Sequence, residues 1–340
     1  MGIPGNLLTT AMAVMPHRDV DRALRAAMSL DVPFWPQLPL LSYYEDMYVQ
    51  ASEHFPGILT DMEKRTLRFS IEKFIIELED TLAHFEDPQY FDISDTYSAV
   101  YHRFLQMDLS DRVAIRGQLE GPISFGLNVL DQDKRPILFN DTVRSFMLDF
   151  MAKRLNTQLN RLKVLNPNAF MFVDEPGLQY IFSAMSGYNS ITARQDMERF
   201  FAGVERPRGV HLCGNPDWDF LLGLDLDVLS LDVYSNGEIF VSYAKPILRF
   251  LERGGCIIWG IVPTNFEPFA EENLRSLQER LLVCWRILER NGIDRHLLVS
   301  QSMLSPATCC LVNPDGVKTV EKAFERTNAL SEVLRRRFAV

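Results

Sequence analysis

Short, continuous apolar runs alternate along this chain with longer stretches in which apolar residues return every three or four positions. The runs at 7–14, 32–35, 113–119, 169–173, 209–213, 228–231, 256–260 and 297–301 read as eight strands covered on both faces. The stretches at 143–165, 239–253, 271–291 and 317–337 read as amphipathic helices. Strands and helices in alternation predict an α/β protein with a parallel sheet. Eight such units predict a (β/α)8 TIM barrel, forming one domain over residues 1–340. The long interval 59–111, between the second and third strands, predicts extra helices. An open doubly wound sheet is the alternative. A dinucleotide-binding version would need a glycine-rich turn after the first strand, and residues 7–16 offer none.

Barrel chemistry sits at the C-terminal ends of the strands, and several polar residues fall there. Asp174-Glu175-Pro176 follows the run 169–173. His211 and Cys213 end the run 209–213, Asp232 follows 228–231, and Cys309-Cys310 follow the last run by a short loop. In Val210-His211-Leu212-Cys213-Gly214-Asn215 the His and Cys are two apart, so an extended segment points both to one side. One ion can take both, and a later thiolate from Cys309 or Cys310 would close the site. Imidazole with thiolates is a donor set that suits zinc. Each position also has a plain structural role open to it. Asp232 can cap the helix that follows its strand, Cys310 can fill a small core space, and Asp174 and Glu175 can form a turn before Pro176. Cys256 and Cys284 lie inside apolar runs and are assigned to the core.

Composition narrows the function classes. With 340 residues, 47% hydrophobic and 24% charged, the sequence has the balance of a soluble globular protein. A formal charge of -10 argues against nucleic acid as a partner, since a general binder shows a basic face. No apolar run approaches the roughly 18 residues of a membrane span. Residues 1–17 lack a basic leader, so no signal peptide is expected. Five cysteines, an odd and small number, fit a reduced compartment, and the expected location is cytoplasmic.

These motifs resemble the methionine synthase and uroporphyrinogen decarboxylase superfamily. Within it they are most similar to the barrel of cobalamin-independent methionine synthase and its shorter single-barrel core forms. Residues 9–17 look like the opening strand and turn, Gly121-Pro122 like the turn after the third strand, and Asp174-Glu175-Pro176 like the D-E-P motif. Asp227-Val228-Leu229-Ser230-Leu231-Asp232 resembles the strand that ends in a zinc-binding carboxylate, and residues 305–311 resemble the segment carrying the last thiolate. The resemblance implies the zinc ligands His211, Cys213, Asp232 and Cys309, with Cys310 the alternative sulfur. It also implies that Asp174 holds the amino group of homocysteine. Glu175 enters with the same motif as a catalytic candidate, and Glu45-Asp46 is the nearest counterpart of a second substrate-binding acid. Asp232 stands where the family has Glu, Cys310 where it has Gly, and Ala13-Val14 where it has Gly-Ser. Residues 260–265 lack a histidine that the family carries.

What the resemblance implies is a zinc-dependent methyltransferase that converts the thiol of homocysteine to methionine. A single barrel points to methylcobalamin, or a methylated corrinoid protein as partner, as the methyl donor. Three alternatives are open to the same residues. Another thiol such as coenzyme M would ask for a cationic pocket. A uroporphyrinogen decarboxylase would ask for arginines where residues 36–41 read Pro-Gln-Leu-Pro-Leu-Leu. A structural zinc site in an interaction protein would ask for four closed ligands.

Overall fold

A parallel strand buried on both faces sends alternate side chains to opposite sides, and this alternation organises the whole fold. The computed structural model describes residues 3–181 and 188–340. Its strands are β1 (Leu8–Thr9), β2 (Ile58–Asp61), β3 (Thr66–Phe69), β4 (Arg116–Glu120), β5 (Phe170–Asp174), β6 (Arg208–Leu212), β7 (Val228–Asp232), β8 (Cys256–Val262) and β9 (Ser302–Pro306). Seven of them form one curled parallel sheet in the order β1-β9-β8-β7-β6-β5-β4, while β2 and β3 make a separate antiparallel hairpin. The concave face carries a small apolar cluster that includes Phe170, Phe172, Val228, Ile258 and Met303. The intervening positions face outward into the main core under the helices, among them Met171, Val173, Leu229 and Ile257.

The helix Asp141–Leu165 shows how local sequence sets this arrangement. Asn140 caps its start by accepting the Val143 N–H at 3.1 Å. Val143, Met147, Met151, Leu155, Leu159 and Leu162 are buried along one face. Asn166-Pro167 ends it, because the residue before proline is driven away from helical geometry. Gly117 on β4 lets this helix approach closely, since a Cβ there would lie 2.8 Å from Leu162 Cδ1 and 2.7 Å from Met171 Sδ.

The expected eight-stranded ring is therefore a seven-stranded sheet in this structure. The run 32–35 makes only isolated bridges. Val32 donates its N–H to Thr9 O at 2.9 Å, Arg116 donates to Pro33 O at 3.0 Å, and Phe34 and Val14 bridge to Arg116 and Gln37. Pro33 and Pro36 supply no N–H, so a ladder cannot propagate through them. The segment nonetheless lies between the two edge strands β1 and β4. The last expected strand is displaced as well. Residues 297–301 mostly belong to the helix Arg295–Ser300, and the strand begins at Ser302. Asp294 tips that apolar run into a helix by accepting the N–H groups of His296 and Leu297 at 2.8 and 3.2 Å.

The extra helices expected in the interval 59–111 are present as Ile71–Ala83 and Ala99–Leu105, while the helix Met47–Ser52 before it and the hairpin were not signalled by the periodicity. The stretch 239–253 is split between the helices Val233–Val241 and Ala244–Glu252. Pro246 explains the break, because its ring would clash with the carbonyl four residues earlier in a continuous helix. Among the described residues no helix is long and apolar enough to cross a membrane.

Candidate thiol and metal site

The sheet register gathers the polar ends of four neighbouring strands. Glu120 pairs with Asp174, Asp174 with His211, and His211 with Ser230. By alternation the rows Arg116-Gln118-Glu120, Phe170-Phe172-Asp174 and Val228-Ser230-Asp232 share the concave face with His211. The apolar floor thus gives way to a polar rim at the strands' C-terminal ends.

His211 is held on three sides. Its Nδ1 lies 3.0 Å from Ser230 Oγ, its Nε2 lies 3.2 Å from Cys213 Sγ, and its ring stacks on Phe172 with centroids 6.3 Å apart. Thr308 donates its hydroxyl to the same Cys213 sulfur at 3.1 Å. The Cys309 side chain lies beside the Cys213 thiol, close enough for the two to perturb each other. This neighbour, with burial, pushes Cys213 up to about 12, and the same interaction holds Cys309 below the ordinary thiol value. Cys310 turns away, with its Sγ 3.3 Å from Val312 O and its side chain packed against the main core. The two adjacent cysteines are thereby separated into one sulfur facing the site and one facing the protein. Cys256 and Cys284 are buried in the core, as their apolar surroundings predicted.

The carboxylates divide in a similar way. Asp174 is buried at the end of β5, and burial raises it to about 7 against the opposing pull of Arg116. Asp232 is engaged as the cap of the helix Val233–Val241, accepting the Ser235 N–H at 2.9 Å. Glu175 is fully buried and accepts three hydrogen bonds, from Ile123 N at 3.0 Å, Ser124 N at 2.8 Å and Ser124 Oγ at 2.6 Å. It fastens the start of the helix Pro122–Asn128, and the absent Cβ of Gly121 makes room for it. Glu45 and Asp46 stand in the turn that leads into the helix Met47–Ser52. Glu45 accepts from Ser98 Oγ at 2.7 Å and Gln50 Nε2 at 3.2 Å, while Asp46 caps the helix Met47–Ser52 through Tyr48 N at 3.0 Å. The structure thus brings His211, Cys213 and Cys309 together beside Asp174, and gives Glu175, Glu45 and Asp46 structural partners.

Four residues that motif reading passed over contribute here: Ser230, Thr308, Arg116 and Glu120. Arg116 is buried between the rings of Phe34 and Phe172, 4.6 and 4.5 Å from their centroids. It donates to Thr10 Oγ1 at 3.1 Å, Gln118 Oε1 at 3.1 Å and Ala11 O. The signal was available in the sequence, because Arg116, Gln118 and Glu120 form a polar stripe of period two in a strand expected to be apolar.

Among the described residues no group of three or more His, Cys, Asp or Glu side chains is gathered as it stands to hold a metal ion. The donor chemistry nevertheless fits zinc. A tetrahedral zinc with ligands at about 2.0 and 2.3 Å sets nitrogen and sulfur about 3.5 Å apart. The 3.2 Å between His211 Nε2 and Cys213 Sγ needs only a few tenths of an ångström more.

No protein-family profile matches the sequence. No curated protein matches it either. Among solved structures the chain is similar to a methyltransferase from Methanosarcina mazei, with a TM-score of 0.56 and 12% sequence identity over 97% of this chain and 95% of that one. At that identity the likeness is one of fold, and it spans both chains almost entirely.

Proposed function

We propose that this protein is a zinc-dependent methyltransferase acting on a thiol, with homocysteine as acceptor and methionine as product. The observation that carries this reading is the convergence of His211 Nε2, Cys213 Sγ and Cys309 on the rim of the parallel sheet. The fold likeness to a methyltransferase supports methyl transfer in general. In this reading the sheet and the bridging segment 32–37 work together as a closed barrel of the methionine synthase superfamily. Methylcobalamin, or a methylated corrinoid protein docked at the rim, supplies the methyl group.

His211, Cys213 and Cys309 would hold the zinc, with Asp232 as a fourth ligand once released from its cap. Bound zinc would acidify an incoming thiol, ordinarily near pKa 8.5, and keep its sulfur nucleophilic at neutral pH. The chain's own residues prepare that event. Ser230 fixes the tautomer and plane of His211 through Nδ1, leaving Nε2 for the site. Thr308 and Cys309 orient the Cys213 sulfur. Asp174, facing the same space, takes the amino group of the acceptor. The buried floor of Phe172 and its neighbours excludes water from beneath the reacting sulfur.

The test is spectroscopic. Zinc X-ray absorption on the loaded protein is expected to show a mixed sulfur and nitrogen shell that gains one sulfur when homocysteine is added. An unchanged shell would mark a closed structural site and remove the methyltransferase reading.

A further inference from the structure

Two segments at the rim are tied together, and the tie fixes one hydroxyl. Ala307 donates its N–H to Val262 O at 2.8 Å, and the buried Thr264 donates its hydroxyl to Thr308 O at 3.0 Å. Asn313 returns to the same place, donating to Thr264 O at 2.9 Å and accepting the Phe266 N–H at 3.0 Å. These bonds lock the segment after β9 to the segment after β8 and hold the backbone of Thr308. The Thr308 side chain then reaches a third segment, just past β6, where its hydroxyl donates to Cys213 Sγ at 3.1 Å. The other acceptor within reach, Cys309 O, lies farther away at 3.5 Å. A hydroxyl has one hydrogen to give, and Cys213 is the nearer taker.

The choice of acceptor is informative. A protonated sulfur accepts weakly, and Thr308 is only half-buried, so water would serve its hydroxyl as well. The contact becomes strong only when the sulfur is ionised, because a hydrogen bond to a charged group is about twice as strong as a neutral one. With a metal held by His211, Cys213 and Cys309, the site contains two protein thiolates beside the acceptor's sulfur. All three are nucleophiles within reach of a methyl donor at the rim. Attack by Cys213 would form a sulfur–carbon bond from the sulfur's lone pair, while the bond from carbon to the donor breaks and the donor leaves with that pair. The resulting thioether has lost the charge that makes a thiolate a zinc ligand. A hydrogen bond to the Cys213 lone pair opposes this reaction by stabilising the charge where it is. A sulfur arriving from solution does not share that protection, since the one hydrogen of Thr308 is already given.

We infer that Thr308 is a positioning residue that shields Cys213 from the methyl donor, so that the methyl group goes to the acceptor's sulfur and not to the protein's own. This deepens the proposed function, because it rests on the reading of His211, Cys213 and Cys309 as the holders of the metal.

The test uses methyl iodide as the probe, on zinc-loaded protein with no acceptor thiol present. Peptide mass spectrometry follows methylation of Cys213 relative to Cys310, whose sulfur turns to Val312 O. In Thr308→Val this ratio is expected to rise about tenfold over the wild type, or ~1.4 kcal/mol. Thr308→Ser keeps the hydroxyl and is expected to stay within about twofold of the wild type. A second readout is the sulfur-to-cobalt charge-transfer band of cobalt(II)-loaded protein. It is expected to move to lower energy in Thr308→Val and not in Thr308→Ser, because a thiolate lone pair that loses a hydrogen bond lies higher in energy. Thermal unfolding and metal content are the checks, and Thr308→Ala replaces the valine variant if that one does not fold. Unchanged methylation in a folded, metal-loaded Thr308→Val or Thr308→Ala protein overturns the inference. An equal rise in Thr308→Ser also overturns it, since packing and not the hydroxyl would then be responsible. A wild-type chain that takes up neither zinc nor cobalt overturns the methyltransferase reading, and this inference with it. Metal content therefore distinguishes the two failures.

Discussion

Glu175 offers the sharpest separation between chemistry and architecture, since its motif marks it as catalytic while its contacts are those of a clamp. Replacing it with alanine removes the acceptor for Ile123 N, Ser124 N and Ser124 Oγ at once. Each such bond is worth about 1–1.5 kcal/mol net. Stronger charge-assisted values do not apply in full, because burial lifts this carboxyl to about 7 and it is ionised only in part at neutral pH. Three bonds give about 4 kcal/mol. For a 340-residue chain the unfolding entropy is about 0.7 kcal/mol/K, so Tm should drop by about 6 °C. Glu175→Gln keeps one acceptor oxygen and should lose roughly half as much. Gly121→Ala should mimic the loss, because its Cβ would lie 2.2 Å from Glu175 Oε1 and push the carboxylate off the helix start. The assay is differential scanning calorimetry beside single-turnover methyl transfer on the same samples. A Tm unchanged in Glu175→Ala with the rate down a hundredfold would return the residue to the reaction.

Three further outcomes follow from the same geometry. About one zinc per chain is expected in the wild type and in Cys310→Ser, with metal lost in Cys213→Ser and Cys309→Ser; metal analysis after dialysis reads this, and loss in Cys310→Ser alone would reverse the assignment of the two sulfurs. Asp174 is raised from 3.8 to about 7 in the folded state, so on raising pH the unfolded carboxyl ionises first, and this group's contribution to stability falls from about pH 4 to pH 7. Asp174→Asn is therefore expected to gain about 2–3 kcal/mol on the metal-free wild type between pH 5 and pH 8 in denaturant titrations, and parallel pH profiles would contradict the raised value. Asp232→Asn preserves an equivalent cap and should leave Tm nearly unchanged, whereas Asp232→Ala should cost about 1 kcal/mol, read by thermal unfolding.

Much of the fold was legible because parallel strands covered on both faces are continuous apolar runs, and five of the eight expected ones correspond to β4 through β8. The failures have local causes. Two prolines stop a ladder at 33 and 36, Asp294 turns an ambiguous apolar run into a helix, and Pro246 divides a long periodic stretch. The site was legible where spacing itself carries geometry, as in His211 and Cys213. It was illegible where the answer lies in which way a side chain turns. Cys309 and Cys310 are adjacent and chemically identical in sequence, and the fold separates them by placing Cys309 beside Cys213 and turning Cys310 to the Val312 carbonyl and the core. Asp232, Glu175 and Asp46 are acids that motifs mark as functional, and each is found at a helix start because carboxylates satisfy unpaired N–H groups there. Arg116, Gln118 and Glu120 were legible as a polar stripe of period two, although what each side chain meets is a property of the folded state.

The central claim is methyl transfer to a zinc-held thiol at His211, Cys213 and Cys309. It is tested most directly by incubating zinc-loaded protein with methylcobalamin and homocysteine while following cobalamin absorbance and methionine. Methionine is expected to form in step with demethylated cobalamin and to be abolished by chelation and by His211→Ala. Methionine formation that survives both treatments, or none from the zinc-loaded wild type with either methylcobalamin or a methylated corrinoid protein, would contradict it.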